Sequence, residues 1–161
     1  MTLATWFAVV TICVLGAMSP GPSLALVLKQ TLTGGRRNGV ITALSHGIGV
    51  GIYAFLSILG LAAIITASPT AFSILQWGGA LYLAWLGMKG LMAKRQPDDE
   101  LPEPPTTKSA ARDGFLIAFF NPKIAVFFLA LFSQVVGTDT SLMAKFGYAA
   151  TALVIDTSWY L

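Results

Sequence analysis

Residues 17–24 read Ala17-Met18-Ser19-Pro20-Gly21-Pro22-Ser23-Leu24, two prolines flanking a glycine inside an apolar run. The run from Leu3 to Leu28 carries no charge. A helix of about 20 such residues crosses a hydrocarbon core of about 30 Å. Proline lacks the backbone N–H and clashes with the preceding turn, which costs a helix interior about 3 kcal/mol. Lipid cannot satisfy the freed carbonyls. A break survives only where protein or a wet cavity supplies partners. The stretch is therefore either a simple kink or a deliberate interruption facing a cavity.

Composition settles the solvent. The chain has 161 residues, 55% hydrophobic and 11% charged, against about 25% charged in soluble domains. Charge-free runs locate the spans. Gly39 to Met88 carries no formal charge and contains the single His46; it is too long for one crossing. The segment Thr66-Ala67-Ser68-Pro69-Thr70 divides it into two helices. Gly114 to Val136 is a fourth span holding Lys123, and Phe146 to Leu161 begins a fifth holding Asp156. The first span is no signal peptide, having no basic residue before Lys29 and too long an apolar core. The fold expected is an all-α integral membrane bundle of five spans.

Basic residues orient it. Lys29, Arg36 and Arg37 follow span one, and Lys89, Lys94, Arg95, Lys108 and Arg112 follow span three. Those loops, 29–39 and 89–112, are expected in the cytoplasm, with the N-terminus outside. Three spans are an odd number, so a second unit of three enters the membrane in the opposite sense. This is the 3+3 inverted repeat of many secondary transporters. The units expected are 1–92 for the first repeat, 93–112 for a Pro-rich cytoplasmic loop, and 113–161 for an incomplete second repeat. A matching second unit would end near residue 205, roughly 44 residues past Leu161, so the chain is expected to be truncated, lacking most of a sixth span and the end of the fifth.

The second unit opens with its own break, Asn121-Pro122-Lys123. Interrupted helices in corresponding elements of two halves point to a transporter's binding site. A Lys or Asp at a helix centre costs about 2.5 to 3.5 kcal/mol, so it faces a cavity or a partner. Lys123 lies about 14 Å and Asp156 about 15 Å into their spans, both near the midplane. An amino-acid zwitterion needs a group for each end. Lys123 and backbone N–H groups at the breaks suit the carboxylate. Carbonyls freed near Pro20 and Pro22, with Asp156, suit the ammonium. Asp156 is also the candidate carrier of a coupling proton. The alternative is a structural Lys123–Asp156 pair that touches no substrate. His46 can relay protons, or simply bond to a neighbouring helix. Ala43, Gly47 and Gly51 form a small-residue face for packing within the bundle or, secondarily, between subunits. Trp6, Trp77 and Trp85 fit an aromatic belt.

Several segments together resemble the lysine exporter family of bacterial membrane proteins, whose other branches export threonine, homoserine, leucine and related amino acids. They are Ser19-Pro20-Gly21-Pro22, Gly35-Arg36-Arg37-Asn38-Gly39, the run Gly78 to Gly87, Asn121-Pro122-Lys123 with Phe127-Phe128, and Asp156 before Trp159. Ser23 stands where the family often has Asn or Asp, and His46 where small or apolar residues are usual. The resemblance implies an inner-membrane exporter of amino acids, without cofactor. The site residues that the breaks and the resemblance together point to are Ser19, Pro20, Gly21, Pro22, Asn121, Pro122, Lys123 and Asp156; the chemistry of Asp156 and His46, not the resemblance, makes them the candidates for coupling to protons.

Other classes fit less well. One cysteine, Cys13, cannot form a thiol–disulfide couple. One His and one Cys do not make a transition-metal exporter. No filter-like repeat suggests a channel, no nucleophile–base pair or phosphate loop suggests an enzyme, and nothing points to nucleic acid. An inactive shortened exporter, a channel or another small-solute permease remain the alternatives.

Overall fold

A computed structural model describes residues 2–68 and 106–161, with isolated positions between 70 and 92. The third span expected around Gly78–Gly87, Trp85 and most of the Pro-rich loop lie outside the described residues. Five helices are described in full: α1 (Leu3–Met18), α2 (Pro22–Ala67), α3 (Thr107–Phe120), α4 (Pro122–Val135) and α5 (Leu142–Tyr160). Among the described residues there is no strand.

The first break is a true helix end. The chain leaves α1 at Ser19, in extended conformation with φ −68° and ψ 121°, and Pro22 opens α2. Proline suits a first helical position, where its missing N–H has no helical partner to lose. The kink reading therefore fails at this site. The second break uses the same chemistry: Asn121 caps α4, its Oδ1 accepting from the Lys123 N–H at 3.0 Å, and Pro122 opens the helix. The axes of α3 and α4 diverge by 51° there.

Two expected loops shrink. Helix α2 runs through residues 29–34 and turns only at Gly35, whose φ of 78° is left-handed and disfavours any residue with a Cβ. The turn expected over 29–39 is thus essentially one glycine, because the helical arm 22–34 continues through the charged residues. Likewise α3 starts at Thr107 instead of beyond Arg112, capped by the Thr106 hydroxyl accepting from Ser109 N–H at 3.1 Å. The helix before each break is then of similar length, 16 residues in α1 and 14 in α3.

Residues 36–67 of α2 form the spine. Helix α3 runs parallel to it: Thr42 donates to the Ala110 carbonyl at 3.3 Å, and further along Tyr53 meets Phe119 edge-on at 5.6 Å. A Cβ on Gly114 would stand 2.6 Å from the Thr42 carbonyl oxygen, so the contact needs glycine. Helix α5 runs antiparallel to the spine, Gly47 against Thr157, Gly51 against Leu153 and Phe55 stacked on Phe146 at 4.5 Å. The small-residue face expected at Ala43, Gly47 and Gly51 therefore packs within the bundle. Helix α1 lies along α5, with Trp6 Nε1 donating to Thr151 Oγ1 at 3.3 Å. Phe128, Phe132 and Tyr148 fill the core between α4 and α5. On the opposite face of α2, Leu44, Ile48, Ile52 and Leu56 are exposed every fourth residue. Such a stripe costs nothing against acyl chains, which are as apolar as leucine.

Candidate functional site

The two helix ends meet. Lys123, in the first turn of α4, donates from Nζ to the Ser19 carbonyl at 2.9 Å, to Ser19 Oγ at 2.9 Å and to the Pro20 carbonyl at 3.2 Å. An ammonium has three N–H donors, so all are engaged. These acceptors are the groups left without helical partners where α1 stops. A cation there also complements the negative end of the helix dipole.

Asp156 does not pair with Lys123. Its Oδ2 lies 2.6 Å from His46 Nδ1, a buried pair joining α5 to the spine. On the other side of the ring, His46 Nε2 lies 2.8 Å from Ser23 Oγ in the first turn of α2, and Asn121 Nδ2 donates to that oxygen at 3.4 Å. Tyr160 packs edge-on against the imidazole at 5.3 Å. His46, Ser23, Asn121 and Asp156 are all buried. An ionisable residue at membrane depth normally has such partners, because an unpaired charge in a low-dielectric interior is costly.

These groups line one cavity of about 50 Å³. A water needs about 10–15 Å³ of such space, so the cavity holds a few waters and is closed to an amino acid. One wall is polar, with Ser19, Gly21, Ser23, His46, Asn121, Lys123 and Asp156. The other is apolar, with Val50, Phe127, Phe128 and Ala152. Of the residues singled out from sequence, Ser19, Gly21, Asn121, Lys123, Asp156 and His46 line it. Pro20 contributes its carbonyl to Lys123, while Pro22 and Pro122 set the helix starts beside it. The carbonyls of Ser19 and Pro20, expected to face a substrate ammonium, are instead taken by Lys123.

Residues 14–161 match the family described as LysE type translocator. The chain belongs to that family. The LysE-type chain is therefore a membrane translocator and not an enzyme. It is 28% identical to the threonine efflux protein of Escherichia coli K12, over 98% of this chain and 79% of that protein. It is 30% identical to a homoserine/homoserine lactone efflux protein of Salmonella typhimurium, over 97% and 77%. It is 32% identical to a leucine efflux protein of an Enterobacter strain, over 88% and 69%. No solved structure matches the chain.

The sequence reading did not bring Ser23 into the site and gave His46 a minor place. A signal existed for His46: it is the one histidine in a fifty-residue run without Asp, Glu, Lys or Arg, and an intramembrane group that can carry charge needs a partner. No local signal exposes Ser23, whose partners come from elements 23 and 98 residues away.

Proposed function

We propose that this LysE-type translocator exports amino acids or close derivatives from the bacterial cytoplasm across the plasma membrane, in exchange for protons. One observation carries the reading: two broken helices from the two halves of the chain line one cavity that holds both a Lys and an Asp. A zwitterion has the complementary pair of charges. The N–H groups at the starts of α2 and α4 carry the positive ends of two helix dipoles and, with Lys123, suit the carboxylate. Asp156 suits the ammonium. The apolar wall at Val50, Phe127 and Phe128 suits an uncharged side chain. Because Lys123 and Asp156 already have internal partners, substrate must replace some of these bonds as it enters.

The transport cycle follows from competition. A proton on the His46–Asp156 pair cancels the charge that would hold an ammonium, so proton and substrate occupy the site alternately. The first unit, 1–92, and the second, from 113, act as inverted repeats around it, with loops 29–39 and 89–112 in the cytoplasm and the N-terminus outside. Supporting this, α1 with the arm 22–34 and α3 with α4 share one plan, a helix, a break and a proline-opened helix. The test is intracellular accumulation of amino acids fed as dipeptides. Cells expressing the protein should accumulate less than cells without it. Lys123→Ala and Asp156→Asn should each abolish the difference, and normal export by both variants would remove the proposal.

A further inference from the structure

We infer that Ser23 is a positioning residue whose hydroxyl reverses direction with the charge of His46, so that the site holds a substrate ammonium only when the His46–Asp156 pair lacks its extra proton. This rests on the export reading above and deepens it, naming the group that links proton and substrate.

Hydrogen-bond polarity carries the argument. A carboxylate only accepts, so the 2.6 Å contact puts a proton on His46 Nδ1. In the neutral ring Nε2 then has a lone pair and no hydrogen. Ser23 has a single hydroxyl hydrogen, and the 2.8 Å contact directs it to Nε2. The remaining Oγ lone pairs face Asn121 Nδ2 and the cavity, where the Tyr160 hydroxyl also bonds Ser23 and must give way to a substrate ammonium. In this state Ser23 offers the cavity an acceptor, beside an anionic Asp156. Both suit an ammonium.

A proton arriving at His46 has one place to bond, Nε2. That N–H now donates to Ser23 Oγ, and the serine hydrogen is displaced. Rotation about Cβ–Oγ turns it toward the cavity side, where Tyr160 lies. Ser23 then offers a donor, and the imidazolium cancels the Asp156 charge. Both changes oppose an ammonium. One proton is thus read twice, as charge and as a reversed dipole. The titratable groups around the ring are Asp156 and Tyr160 from α5; Lys123 from α4 and Cys13 from α1 share the cavity. Lys123 keeps its own three acceptors on Ser19 and Pro20, and among these groups Asp156 is the one bonded to His46 Nδ1.

The experiment uses the full chain in phosphatidylethanolamine–phosphatidylglycerol vesicles, with counterflow of L-leucine and of L-threonine measured at pH 6 and pH 8. A hydrogen bond to a charged group has a net worth equivalent to roughly tenfold or more in affinity. Wild-type KM should therefore rise roughly tenfold from pH 8 to pH 6. Ser23→Ala should already show a raised KM at pH 8, with the ratio reduced to about threefold or less. Ser23→Thr, which keeps the hydroxyl, should restore the wild-type ratio. A full pH ratio in Ser23→Ala overturns this inference and leaves export standing. Absence of wild-type counterflow with both amino acids overturns the export reading and this inference with it. A second readout does not need transport. His46 is the chain's only histidine, so nitrogen-15 labelling of histidine gives one ring to assign. Where the ring is neutral, the Nδ1-protonated tautomer is expected. The Nε2-protonated tautomer there would overturn the proposed polarity.

Discussion

Replacing Lys123 by methionine keeps most of the side chain's volume and removes its three donors. In the native protein Nζ satisfies the Ser19 carbonyl, the Pro20 carbonyl and Ser19 Oγ, at 2.9 to 3.2 Å. The hydroxyl can rotate to another partner. The two carbonyls cannot, because they belong to the backbone at the end of α1. A buried acceptor left unpaired costs about 1–3 kcal/mol; the Ser19 carbonyl is part-buried and the Pro20 carbonyl is exposed to water, which sets a ceiling of about 3 kcal/mol. The cavity beside them has room for a few waters, and water recovers part of that loss. The expected destabilisation of Lys123→Met is therefore about 1–2 kcal/mol, or roughly 5- to 30-fold in the folding equilibrium. Equilibrium unfolding in bicelles, followed by steric trapping, measures it. Lys123→Arg, which keeps a cation with fixed planar donors, should lose less. A change below about 0.5 kcal/mol in Lys123→Met would show that the clasp between the two helix breaks contributes nothing, and the account of Lys123 would be wrong.

Other substitutions probe separate parts of the structure. Gly114→Ala places a methyl 2.6 Å from the Thr42 carbonyl oxygen, where backbone cannot yield; it should destabilise by about 2 kcal/mol or more in the same unfolding assay. Gly35→Ala forces a side chain into a left-handed φ of 78° and should cost about 1–2 kcal/mol, with no effect expected at a helical φ. Asp156→Asn keeps the shape but removes the carboxylate charge beside His46. In vesicles it should lower the dependence of counterflow on pH, together with net export, by roughly tenfold or more; an unchanged pH profile would exclude Asp156 from proton coupling.

Much of this architecture was legible along the chain. Pro20, Gly21 and Pro22 announce the end of one helix, and Asn121-Pro122 another, through local chemistry that needs no tertiary contact: an absent N–H, a fixed φ, an Asn side chain able to cap. Charge-free runs placed the helices, since lipid excludes charge wherever partners are lacking. Boundaries near charged residues were less legible. Residues 29–34 and 107–112 carry Lys and Arg yet remain helical, because long basic side chains can reach the membrane surface while the backbone continues its own hydrogen bonds. Composition marked those stretches as loops; backbone hydrogen bonding made them helix.

What the sequence determined by itself is a membrane bundle with two proline-opened helices and two ionisable groups at membrane depth, because each follows from residues adjacent in the chain and from the solvent around them. Who bonds to whom was decided in three dimensions. Lys123 and Asp156 looked like partners by sign and depth, yet Lys123 clasps the end of α1 and Asp156 holds His46. A charge buried in a crowded interior takes the donors or acceptors that packing brings within 3 Å, and that distance is set by how α1, α2, α4 and α5 cross, not by position along the chain.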